Sequence, residues 1–289
     1  MALLKSYLTL CRPAVSLFAA CSAATGFFLG PYHRIGDVLL PAAAVFLLAC
    51  GASALNQCQE RDIDARMERT RRRPLPSGAI TPRRALLVSF ALILAGLALL
   101  AETGGVKTFV PGIVALFWYN GVYTSLKRVS AFASVPGAAV GMLPPAIGWI
   151  SAGGPLFDAR LAVVCSIFFM WQIPHFWLLL LNRGGEYAKA GLPSLTRVMG
   201  PAQLSRVTFI WIFAASVACL LLPLSGAVKS PLVYFALVPP GIWLVWNGRR
   251  LAGMHPALPL TPGLFKKINI YLFLIMTFLS LENIFLRMP

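Results

Sequence analysis

Nine stretches of the chain are apolar for long enough, or nearly long enough, to cross the roughly 30 Å hydrocarbon core of a bilayer as helices. They run over about 14–31, 37–57, 84–101, 107–124, 132–151, 160–182, 206–225, 231–247 and 268–286. With 58% hydrophobic and 12% charged residues, a water-soluble globule could not hide this much apolar surface in one core. The expectation is an all-α, polytopic integral membrane protein with nine transmembrane helices in one bundle. Lys5 and Arg12 interrupt the first apolar run and no polar mature domain follows, so residues 1–10 read as an interfacial lead-in helix rather than a cleaved signal.

The formal charge of +16 is distributed by side. When successive loops are assigned to alternate faces, 20 of the 25 lysines and arginines fall on one of them, and the positive-inside rule makes that face cytoplasmic. The N-terminus is then inside and Pro289 outside, in a bacterial cytoplasmic (inner) membrane. The excess charge is topological, so no nucleic-acid partner is expected; membrane lipid is. The six cysteines have no ligand spacing and read as small apolar fillers.

No linker divides residues 1–289, which read as a single domain. The long inner loops follow the second and sixth stretches, and each begins with an Asn-x-x-x-Glu pair: Asn56 with Glu60, and Asn182 with Glu186. Four spans separate the copies, which suggests two four-helix halves plus one helix. The four-residue spacing puts each pair on one helix face, and Asp64 extends the first series by a turn. Asp62 with Arg66, and Glu68 with Arg72, fall off that face and read as surface pairs. Asp37, Glu102 and Asp158 read as solvated outer-loop charges, His33 and His255 sit in loops, and Glu282 has no evident role. Stacked carboxylate and amide oxygens are hard ligands that suit Mg²⁺, which binds through a few carboxylates plus substrate phosphates. The loop arginines would add fixed cations, and the apolar bundle would take a hydrocarbon. Such a site suits ionisation of an allylic diphosphate, whose leaving group needs cations and whose carbocation must be kept from water.

The stretch from Asn56 to Gly78, NQCQERDIDARMERTRRRPLPSG, resembles the first acidic motif of the UbiA superfamily of intramembrane prenyltransferases. Three others, LPPAIGW at 143–149, WQIPHFW at 171–177 and EYAKAGLPSL at 186–195, are similar to its haem branch, as is the opening YLTLCRPAVSLFAACSAATGFFLG. The resemblance implies Mg-dependent transfer of a farnesyl group from farnesyl diphosphate to a vinyl group of haem B, with water addition, giving haem O. It implies Asn56, Glu60 and Asp64 as the first Mg²⁺–diphosphate site, and Asn182 with Glu186 as the second. Tyr123 and Lys127 fit the family's Y-x-x-x-K element, whose lysine contacts diphosphate, and Arg69 and Arg73 would be further phosphate ligands. Glu60, Asp64, Lys127 and Glu186 are thus the candidate catalytic residues, and a downstream haem-modifying enzyme is an implied partner.

A lone histidine on an apolar helix is ordinarily a structural, hydrogen-bonded residue. His175 instead follows Pro174 between Trp171 and Phe176–Trp177, imidazole is a common haem ligand, and the resemblance favours haem contact for His175, Trp171 and Trp177. One rival keeps the chemistry with an aromatic, quinone-precursor acceptor; WQIPHFW argues against it. Another is a secondary transporter, whose acids should lie near the mid-bilayer on broken helices rather than at one mouth.

Overall fold

The computed structural model describes residues 2–31, 34–253 and 263–285; His33, His255 and Pro289 lie outside them. Among the described residues there is no strand. In chain order the helices are α1 (Ala2–Cys11), α2 (Pro13–Leu29), α3 (Leu39–Gln59), α4 (Arg61–Arg66), α5 (Pro82–Gly104), α6 (Val106–Leu116), α7 (Thr124–Val129), α8 (Ser134–Gly137), α9 (Leu143–Ser151), α10 (Ala159–Lys189), α11 (Leu195–Val198), α12 (Pro201–Ala218), α13 (Leu221–Leu224), α14 (Pro231–Gly248) and α15 (Leu264–Phe285). A π-helical segment, Phe117–Tyr123, joins α6 to α7.

Prolines fix many of the starts. Pro13, Pro82, Pro201 and Pro231 open α2, α5, α12 and α14, where the missing N–H costs nothing and the fixed φ suits the first turn. Pro13 also ends the lead-in helix, so that α1 and α2 meet at 43°. Among the described residues, most of each of the nine apolar stretches is helical. Single helices that are long and apolar enough to cross a membrane occur over 35–59, 82–104, 159–182 and 264–285, and the bent α1–α2 pair makes a fifth candidate. Of the remaining stretches, three are interrupted, by the π segment, by a 3₁₀ turn over Ala138–Met142 and by the break after Ala218, while α14 runs unbroken through Pro239 and Pro240.

The packing closes a ring: α2 against α3, α3 against α5, α5 against α6, α6 against α9, then α10, α12, α14 and α15, which returns to α2. Polarity is inside out. Leu87, Leu94, Phe235, Ile242, Trp246 and Phe273 face outward, while Ser16, Ser53, Asn56, Gln57, Ser89, Thr208 and Ser216 are buried within. That is the arrangement hydrocarbon favours, because outward side chains meet lipid and inward polar groups hold helices together. Small residues set the closest approaches: a Cβ on Gly148 would stand 1.8 Å from the Ala23 carbonyl oxygen, and one on Gly26 1.9 Å from that of Pro145. The backbones of α2 and α9 therefore touch at a spot where only glycine fits.

Candidate active site

The helix of α3 breaks at Glu60, yet the Glu60 N–H still reaches the Asn56 carbonyl (2.9 Å) and the Asp64 N–H that of Glu60 (2.8 Å). The four-residue register survives the break. Asn56, Glu60 and Asp64 turn inward, at 1%, 7% and 3% exposure, whereas Asp62 and Glu68 face out. Thr124 donates its hydroxyl hydrogen to the Tyr119 carbonyl (2.9 Å), so it can only accept from the Asn56 amide nitrogen (3.0 Å). That fixes the amide and leaves the Asn56 carbonyl oxygen as the acceptor end.

Both inward carboxylates are already paired. Glu60 holds Lys127, and Asp64 takes both oxygens to Nη1 of Arg73, at 2.8 and 2.6 Å. Thr70 fixes the returning loop by donating to the Asp64 carbonyl (2.9 Å). Arg73 is the half-buried member of the loop's arginines; Arg69, Arg71 and Arg72 are exposed. Burial pushes the Arg73 guanidinium below the ordinary arginine range, and the charge of Arg12 adds to the effect.

The surface pairs differ from the expected ones. Asp62 pairs with Arg128 rather than Arg66, through two hydrogen bonds of 3.0 and 2.9 Å, while Arg128 Nη2 also donates to the Gln59 carbonyl (2.7 Å). A planar fork that meets a carboxylate and an orphan carbonyl at the end of α3 outcompetes a single i,i+4 contact. Hydrogen bonding to Arg128 holds the Asp62 carboxyl below its usual range. Glu68 approaches Arg71 at 3.9 Å rather than Arg72, because α4 ends at Arg66 and the residues beyond it have no helical register.

The π segment faces this wall. Asn120 donates to the Ala52 carbonyl (3.0 Å) and to Gln59 Oε1 (3.1 Å), and Gln59 returns a bond to the Asn120 carbonyl (3.0 Å). A π turn re-aims the residues after it, and such turns recur at functional sites. Here it sets Tyr123 beneath Lys127, whose Nζ lies 4.7 Å from the ring centroid. A run of rings starts there. Tyr119 and Tyr123 stack at 5.9 Å, Tyr123 and Phe176 at 5.6 Å, Phe176 meets His175 at 5.7 Å, His175 meets Trp171 at 4.7 Å, and Trp171 stacks on Phe18 of α2 at 5.6 Å. Phe265 closes on the other side of His175 at 4.7 Å. The Trp171 indole N–H is satisfied by the Ile268 carbonyl (2.8 Å), while Nδ1 of His175 is buried with no hydrogen-bond partner. Trp177 stands apart: six residues along α10 from Trp171, it faces another cluster, donates to Ser134 Oγ (2.9 Å) and meets Trp211 edge-on.

The second acidic pair is split in exposure. Asn182 is exposed, while Glu186 is half-buried and its Oε2 is buried without a partner. Ile63 and Met67 pack on Ala190 and Leu192, so the chain after Glu186 rests on the loop that carries Asp64. Among the described residues no three His, Cys, Asp or Glu side chains stand together as a preformed metal site. The donor types nonetheless fit Mg²⁺: hard carboxylate oxygens, one of them orphaned, for an ion that takes much of its coordination from water and phosphate.

Sequence reasoning overlooked Gln59, Asn120, Thr124, Arg128, Phe18 and Phe265. An amide inside the apolar stretch 107–124 was a signal for Asn120; nothing local marks Phe18 or Phe265.

Residues 14–265 match the model of the UbiA prenyltransferase family. The chain is 40% identical over 258 residues to a protoheme IX farnesyltransferase of Geobacter sulfurreducens, covering 89% of this chain and 95% of that protein. It is 35% identical over 282 residues to one of Oleidesulfovibrio alaskensis, covering 98% of each. Among solved structures, it resembles one described for digeranylgeranylglyceryl phosphate synthase in membranes, with TM-score 0.76, 16% identity and 98% and 99% of the two chains covered. It also resembles a UbiA homolog from Archaeoglobus fulgidus bound to GPP and Mg²⁺, with TM-score 0.71, 18% identity and 96% and 99% covered.

Proposed function

The chain belongs to the UbiA prenyltransferase family, and from that premise we propose that it transfers a farnesyl group from farnesyl diphosphate to a vinyl group of haem B, with addition of water, to give haem O. The donor and acceptor follow the activity for which the two relatives are named. The observation that carries the reading is the junction at Tyr123, where Lys127, paired with buried Glu60, lies over a run of aromatic rings that leads to His175, with the Asp64–Arg73 pair one helical turn beyond Glu60.

An allylic diphosphate ionises when the charge of its leaving group is compensated. Lys127, Arg73 and Arg69 are the cations we assign to that task. As Lys127 and Arg73 turn to phosphate oxygens, Glu60 and Asp64 lose their counter-ions and become available to a divalent cation. With Glu186 and the amide oxygens of Asn56 and Asn182 they form the set we assign to Mg²⁺, which would supply further charge neutralisation to the departing diphosphate. The farnesyl C1–O bond breaks with its electron pair staying on the diphosphate. The faces of Tyr119, Tyr123 and Phe176 flank the allylic cation and keep water from it. The π electrons of the haem vinyl group then form the new carbon–carbon bond. The cation left beside the tetrapyrrole is captured by water, which loses a proton to solvent or diphosphate. His175, held between Trp171 and Phe265, faces the acceptor, and Trp177 anchors α10 behind it.

The same reading takes residues 1–289 as one domain of nine spans in a bacterial inner membrane, N-terminus and acidic loops cytoplasmic, with a haem-modifying enzyme as partner downstream. Pigment extraction and mass analysis of cells with and without the gene tests the function. A haem heavier than haem B by a farnesyl group and a hydroxyl supports it, and a prenylated aromatic acid with no such haem overturns it.

A further inference from the structure

Near the middle of the membrane-length helix 159–182, Gln172 places a primary amide between Trp171 and Ile173. Ala162 and Ser166 mark the outward face of α10, and six residues of helix turn Gln172 away from Ser166. It points instead to the 3₁₀ turn of Ala138–Met142, where a Cβ on Gly141 would stand 2.8 Å from its Oε1. Gly137, one turn earlier, lies against Tyr123 in the same way, since a Cβ there would stand 2.4 Å from the ring. Phe176, four residues after Gln172, stacks on that ring. The amide therefore sits one turn deeper in the bundle than the Tyr123–Phe176 pair, on the same face of α10.

Among the described residues no hydrogen bond reaches the Gln172 amide, and the half-buried side chain is not sealed off. At this depth an unbonded amide is costly, and it persists where it lines a cavity that takes water or ligand. Nδ1 of His175, three residues on, is a second polar atom without a partner. An ordered water needs about two to four polar partners, and neighbouring side chains on one helix face can share that task. The reaction needs one water, and only after the allylic cation has been consumed. The rings of Tyr123 and Phe176 keep water from that first cation, whereas an amide one turn beyond them can hold a water for the second, which forms on the tetrapyrrole side of the new bond.

We propose that Gln172 orients the water that captures the second cation, and so decides whether the product carries a hydroxyl. The inference rests on the reading above that a haem vinyl group is the acceptor. The carbonyl oxygen of Gln172 accepts one O–H of the water and turns an oxygen lone pair towards the cationic carbon. That pair forms the carbon–oxygen bond, and the released proton goes to diphosphate or solvent; the amide itself neither gains nor loses one. Without a held water the same cation loses a proton from the neighbouring carbon. The product is then a farnesylated haem with a carbon–carbon double bond, lighter than haem O by one water.

The test is mass spectrometry of both products, hydroxylated and water-free, from the full chain in nanodiscs given farnesyl diphosphate, haem B and MgCl₂. In Gln172→Leu and Gln172→Met the ratio of water-free to hydroxylated product should rise about tenfold, the factor that one hydrogen bond carries. Their unfolding temperatures should equal or exceed that of the wild type, since an unbonded amide has been removed from hydrocarbon depth. Gln172→Glu keeps an acceptor oxygen of the same reach and should stay near the wild-type ratio. Gly141→Ala leaves the amide intact but pushes its flexible end aside, and should raise the ratio in the same direction. An unchanged ratio in Gln172→Leu and Gln172→Met would overturn the inference. So would folded variants that lose both products together, which would make Gln172 a binding residue. A wild type that forms neither farnesylated haem contradicts the acceptor reading and takes the inference with it, so the wild-type measurement tells the two failures apart.

Discussion

Glu60 and Asp62 stand two residues apart and face opposite ways, and the difference sets what each substitution should do. Glu60 is buried against Lys127; Asp62 is paired with Arg128 in the open. Glu60→Gln keeps size and removes the charge on which the metal and the diphosphate depend, so product formation should fall by a factor on the order of 10² or more. Asp62→Asn loosens an exposed pair worth about 0–1 kcal/mol and should leave turnover within about fivefold. Turnover measured side by side checks this; loss in Asp62→Asn with retention in Glu60→Gln would contradict the assigned roles. The inward facing of Asn56, Glu60 and Asp64 was legible because spacing alone decides which side chains share a helix face. Their partners were not, since Arg128 lies 66 residues from Asp62 in sequence. Glu282 was illegible for a related reason. Its Oε1 accepts the backbone N–H groups of Lys229 (2.6 Å) and Ser230 (2.7 Å), tying α15 to the start of α14, and backbone partners leave no trace in side-chain identity.

Among the elements, the apolar stretches 37–57, 84–101 and 160–182 read correctly as helices because hydrophobicity and length are additive along the chain. The stretch 107–124 reads as one regular helix, yet it changes to π geometry at Phe117. Hydropathy is blind to one extra residue in a turn; the amide bonds of Asn120 to Ala52 and Gln59 are what hold it there. That turn joins the donor end of the site, Tyr123 with Lys127, to α10 through Phe176. The two ends should therefore separate on mutation. His175→Ala should weaken haem binding while farnesyl diphosphate binding with Mg²⁺ stays near the wild-type value, and Lys127→Ala should do the reverse. Both affinities measured in both variants decide it: equal loss of both ligands in His175→Ala would mark a structural histidine. The sequence placed Trp171, His175 and Trp177 in one wall, but a separation of six along a helix turns Trp177 to another face, and its bond to Ser134 depends on where α8 packs.

For the whole molecule, the membrane class was legible from apolar length and the ring was not. Closure depends on contacts such as Gly26 with Pro145 and Gly148 with Ala23, more than a hundred residues apart, and a glycine in an apolar run carries no sign of which backbone it will meet. Sidedness follows from the division of basic residues between loops. Reporter fusions after Gly78 and Gly200 should behave as cytoplasmic, and one after Pro289 as external; a cytoplasmic C-terminus would contradict nine spans with the N-terminus inside. The central claim is that this bundle joins a farnesyl group to haem. Its most direct measurement is mass spectrometry of the products formed by the purified full chain in nanodiscs given farnesyl diphosphate, haem B and MgCl₂. The account predicts a new haem heavier by one farnesyl group and one hydroxyl, with the hydroxyl oxygen drawn from ¹⁸O-labelled water. Unmodified haem B from protein that prenylates an aromatic acid under the same conditions would contradict it.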